Sequence, residues 1–86
     1  MDFNDQLQRY FGTADLASIT PAVLASGAER MEVDFGLEKD KGRRFALWAV
    51  MTMLGVAPAI DAAFKDPADR DAARNFINLL SRAEED

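Results

Sequence analysis

The sequence predicts an all-α fold, a small four- to five-helix bundle built round one central apolar helix, and three observations carry that expectation. Apolar residues recur at three- and four-residue spacing along nearly the whole chain. Two cap-and-proline pairs, Thr20-Pro21 and Asp66-Pro67, mark helix starts, because proline at the first helical position loses only an N–H that would be unpaired anyway. A single stretch alternates as a strand would, and it has neither a second such stretch to pair with nor an Asn-Gly or Asp-Gly hairpin turn.

Phe3, Leu7, Tyr10 and Phe11 place four large apolar groups on one face of a first helix, and Gly12 supplies its stop. Thr13 is expected to cap a short turn that runs to Ile19. The helix beginning at Pro21 carries Leu24, Ala28, Met31 and Phe35 as a single stripe. Within it Met31, Val33, Phe35 and Leu37 also alternate with Glu32, Asp34 and Gly36, which is the rival strand pattern. Without a partner strand, helix is the expected outcome.

Residues 36–42 form the most loop-like segment, with Asp40 as the cap of the next helix. That helix runs to about Leu54, stops at Gly55, and contains no charge from Phe45 onward. Leu47, Val50, Met51 and Leu54 fall on one face, with Phe45, Trp48, Ala49, Thr52 and Val56 roughly opposite. Both faces are apolar, as expected of a helix surrounded by others. Pro58 opens a short element with Ile60, Ala62, Ala63 and Phe64. Asp66-Pro67 then starts a last helix with Asp69 in the capping-box position and Ala72, Ala73, Phe76, Ile77, Leu80 and Ala83 turned inward. The acidic tail Glu84-Glu85-Asp86 is expected to fray.

Composition fits one small domain over residues 1–86. With 49% hydrophobic residues the chain has the apolar content to fold, although a domain of 86 residues buries only about 60–65% of its unfolded surface, which leaves room for association to add stability. There is no cysteine and no histidine, so a disulfide, a usual structural zinc site and a Ser-His-Asp or Cys-His relay are all excluded. The apolar run from Phe45 to Ile60 is too short and too interrupted to span a bilayer. The start, Met1-Asp2-Phe3-Asn4-Asp5, lacks the basic and then apolar character of a secretory signal, so a cytoplasmic location is expected.

The net charge of −5 conceals a separation. Residues 1–38 carry seven acids and two bases, residues 39–44 four bases and Asp40, and residues 45–86 seven acids and four bases. The central cations Lys39, Lys41, Arg43 and Arg44 lie at a helix start, where the dipole disfavours positive charge unless a neighbour such as Asp34 or Glu38 compensates. They are the candidate site for an anion or an acidic partner. The segment lacks the P-loop pattern. Nucleic-acid binding through the same four residues is the alternative function, disfavoured by the overall negative charge.

Trp48, Met51 and Met53 are the candidate interface residues, since aromatic and methionine side chains are enriched at protein interfaces. The carboxylates make no catalytic constellation: Asp34 and Glu38 share a helix face, and Asp61 stands alone among apolar residues. The expectation is a non-catalytic interaction or regulatory module, possible as a homodimer, that meets another protein or its own copy through an apolar helix face beside a basic cluster, with no cofactor, no metal and no membrane contact.

Overall fold

The computed structural model describes residues 3–85, which form an all-α bundle of five helices. Helix α1 (Phe3–Phe11) is followed by one 3₁₀ turn (Leu16–Ser18), then α2 (Pro21–Leu37), α3 (Lys41–Met53), the single-turn α4 (Ile60–Ala63) and α5 (Pro67–Glu85). Among the described residues there is no strand, and no helix is long and apolar enough to cross a membrane.

Local chemistry sets each boundary. Gly12 ends α1 with φ +74, a left-handed conformation that other residues adopt only with strain, and its N–H returns to the Gln8 carbonyl at 2.9 Å. The Arg30 guanidinium reaches across from α2 to the Tyr10 carbonyl, one of the acceptors that the end of α1 leaves open. The short turn differs from expectation in its cap. Asp15, not Thr13, caps it by accepting from the Ala17 N–H at 3.0 Å, while the Thr13 hydroxyl accepts from the Asp15 N–H. Thr20 caps α2 through the Val23 N–H at 3.2 Å.

The alternating segment Met31–Leu37 is helical to its end, so the expected loop contracts to residues 38–40. Asp40 caps α3 by accepting from the Arg43 N–H at 2.9 Å. The far end of α3 closes on Gly55, with φ +76: its N–H bonds the Thr52 carbonyl and the Val56 N–H bonds the Met51 carbonyl, the paired bonds of a Schellman motif. Pro58 precedes α4 by two residues and does not itself open it. Asp66 accepts from the Ala68 N–H at 3.0 Å at the start of α5.

The core gathers on both faces of α3. Leu47, Val50 and Met51 meet it from one side and Trp48 from the other, with Leu7, Tyr10 and Phe11 from α1, Met31 and Phe35 from α2, and Ala63, Phe64 and Ala73 completing it. Trp48 is the hub of an aromatic group, its ring centre 5.4 Å from Phe64, 5.9 Å from Phe45 and 6.0 Å from Phe76, in tilted and edge-on arrangements that ring quadrupoles favour. Its indole N–H donates to the Pro58 carbonyl at 3.2 Å and so ties the α3–α4 connection to the core. Where α1 crosses α2, Gly27 is buried with the Phe11 ring and the Tyr10 carbonyl against it.

Helix α5 departs from its expected inward set. Ala73 is buried and Phe76 and Leu80 are half-buried, whereas Ala72, Ile77 and Ala83 are exposed. The reason is length: the core covers the first half of α5, and beyond Phe76 no described side chain of the helix is buried. The expected fraying of the acidic tail falls at Glu84, Glu85 and Asp86, whose side chains lie outside the described residues, as does that of Phe3.

Candidate functional site

The loop 38–40 and the start of α3 hold the four cations proposed from sequence, and the helix sends them in different directions. Lys39 is exposed on the loop. Lys41, also exposed, lies 3.6 Å from Asp66 at the start of α5, a solvated pair worth little. Arg44 turns inward, its guanidinium 4.0 Å from the centre of the Phe35 ring and 5.5 Å from that of Phe64. Arg43, one residue earlier and about 100° round the helix, faces the α1–α2 side. The helix N-terminus already holds an anion, the Asp40 carboxylate, which offsets dipole and cations locally. Among the described residues Asp34 and Glu38 make no ion pair with the four cations, although both line a cleft with Arg43.

The three interface candidates separate as well. Trp48 and Met51 are 1% and 0% exposed. A side chain with no free surface has none to offer a partner, so the anchoring role expected of them is replaced by a packing one. Met53, at 46% exposure, is the one that reaches solvent.

The structure instead forms a cleft of about 170 Å³ between α1, α2 and the start of α3, lined by Gln6, Arg9, Tyr10, Leu37, Arg43 and Leu47 with Asp34 and Glu38. A second hollow, reaching Arg30 and Val33, shares Arg9, Tyr10 and Asp34 with it. The shared wall is a hydrogen bond: the Tyr10 hydroxyl donates to Asp34 Oδ2 at 2.5 Å. Burial, reinforced by the neighbouring Asp34 carboxylate, pushes the Tyr10 hydroxyl up to about 12. Glu38 is engaged too, its Oε1 accepting from the Asp40 N–H at 3.2 Å. Arg9 lies 5.8 Å from the Tyr10 ring centre, and among the described residues the Arg43 guanidinium makes no hydrogen bond or ion pair.

Along the rim of this double hollow stand Val33 and Leu37, 60% and 72% exposed. They are the residues that made the segment resemble a strand. In a helix, residues two apart lie about 200° from each other, so burying Met31 and Phe35 turns Val33 and Leu37 outward as a second apolar ridge. The alternation was the available signal for that ridge. Nothing in the sequence pointed to the Tyr10–Asp34 pair, which joins residues 24 apart.

The remaining carboxylates stay at the surface. Asp61 is exposed and lies 4.0 Å from Arg74, which also pairs with Asp71 at 2.9 Å. Among the described residues no group of three acidic side chains is placed to hold a metal ion. Compared with protein-family models, with curated proteins and with solved structures, the chain matches none.

Proposed function

We propose that this chain is a non-catalytic protein-interaction module whose contact surface is the double hollow between α1, α2 and α3, and that its partner is an acidic segment bearing apolar side chains. The observation that carries this reading is the exposed ridge of Val33 and Leu37 running beside Arg9 and Arg43. Covering an aliphatic side chain of this size contributes about 1.5–3 kcal/mol when complete, so the ridge supplies affinity. The arginines supply register and encounter rate.

An acidic partner is compatible with the chain's own negative charge because salt limits the reach of each surface charge to about 8–10 Å. Within that range the double hollow sets Arg9, Arg30 and Arg43 against Glu29, Asp34 and Glu38. Asp34 and Glu38 already accept hydrogen bonds from the Tyr10 hydroxyl and the Asp40 N–H, while among the described residues the Arg43 guanidinium has no hydrogen-bond or ion-pair partner.

Selection of a random peptide library on the immobilised chain tests the proposal. Enriched peptides are expected to combine Asp or Glu with Leu or Phe, and to lose about tenfold in affinity to Arg43→Glu and to Leu37→Ser. Peptides that are basic, or that bind both variants as well as the parent, overturn it. Retention of the chain on heparin at physiological salt, abolished by Arg43→Glu, points instead to a nucleic-acid-associated regulator.

A further inference from the structure

We infer that the outer stripe of α5 is a self-association surface, on which two copies of this chain pair antiparallel about a two-fold axis between Ile77 and Asn78. Ala72, Phe76, Leu79 and Ala83 recur at intervals of four, three and four and so lie on one line of the helix, next to the line that enters the core. Ala72 and Ala83 are exposed, Leu79 is 61% exposed, and Phe76 is half-buried, its inner edge against Phe45 and Trp48. The bundle covers the first half of α5 only. The second half carries its apolar line into solvent.

A second copy is favoured as occupant because the stripe is its own complement. Under the two-fold axis Phe76 meets Leu79 of the second copy and Ala72 meets Ala83, so the large groups face each other in the middle and the small ones at both ends let the backbones approach. The flanking charges agree. Arg82 and Asp71 lie on the same side of the stripe, and the antiparallel register brings Arg82 of each copy beside Asp71 of the other, twice per dimer. In a parallel pairing these two residues stay 11 positions, or about 16 Å, apart. Among the described residues Arg82 makes no hydrogen bond or ion pair of its own, and Asp71 holds only the exposed Arg74.

Sedimentation equilibrium of the full chain from micromolar to millimolar concentration reads the outcome. The parent is expected to dimerise in this range, and Leu79→Asp to weaken the dimer about tenfold or more with an unchanged helical spectrum, because Leu79 lies outside the core. Arg82→Asp should weaken it several-fold, and Asp71→Arg in the same chain should restore it. This charge exchange decides the matter should Leu79→Asp disturb folding. The chain has no native cysteine, so thiols can report orientation: mixing Ala72→Cys with Ala83→Cys should give the mixed disulfide. A parent that stays monomeric throughout, a dimer indifferent to Leu79→Asp and to the charge exchange, or a predominant Ala72→Cys homodisulfide overturns the inference. Because Arg43→Glu and Leu37→Ser leave α5 intact, they should not change the dimer, which separates this surface from the peptide-binding one.

Discussion

Tyr10 is 4% exposed, and its hydroxyl spends its proton on Asp34. Its folded pKa, raised from 10.0 to about 12, lies above the unfolded value, so the stabilisation is fully present below about pH 10 and is lost as pH rises toward 12. Since Tyr10 is the sole tyrosine, phenolate absorbance reports it directly. The titration should be displaced upward and coincide with loss of helix, and Tyr10→Phe should abolish that alkaline dependence. At Gly27 an added Cβ meets the Tyr10 carbonyl at 3.0 Å and the Phe11 ring more closely still. Alanine gains about 1 kcal/mol of helix propensity over glycine, yet overpacking costs about 1–3 kcal/mol, so Gly27→Ala should lower the melting temperature. Arg44 belongs to the core wall through its stacking on Phe35. Arg44→Ala should therefore cost about 1 kcal/mol in thermal denaturation, with lysine restoring part of it.

At the scale of elements, the start of α3 sets a carboxylate against two arginines. Asp40→Ala removes both the cap and the charge that offsets them, and should cost about 1–2 kcal/mol. Asp40→Asn should retain most of the cap, and chemical denaturation of the two variants separates the two contributions. Boundaries of this kind were legible in the sequence because they rest on local chemistry: Thr20-Pro21, Asp40, Asp66-Pro67, Gly12 and Gly55 each act through the residues beside them. The fate of a helix face was less so. Periodicity states which residues share a face, but how far along that face a neighbour extends depends on helix lengths elsewhere, and so Ile77 and Ala83 of α5 are outside although the pattern places them within.

For the molecule as a whole, the same limit explains the site. The apolar character of α3 was plain, and its covering by α1, α2, α4 and α5 on both faces took Trp48 and Met51 out of reach. The charge cluster was equally plain, yet consecutive positions on a helix diverge, and only Arg43 opens onto the hollow. The hollow depends on the α1–α2 crossing at Gly27, a tertiary contact that no spacing announces. Trp48, the sole tryptophan, should consequently show blue-shifted emission resistant to acrylamide at every protein concentration, whether or not two chains pair through α5.

The order of packing also bears on how quickly the chain reaches this state. Helix α1 lies on α2, α2 on α3 and α4 on α5, so most partners are already neighbours along the backbone and little loop-closure entropy precedes each docking step. Chains with such local topology fold in microseconds to milliseconds. A temperature jump followed through Trp48, whose indole N–H donates to the Pro58 carbonyl in the α3–α4 connection, should relax on that timescale.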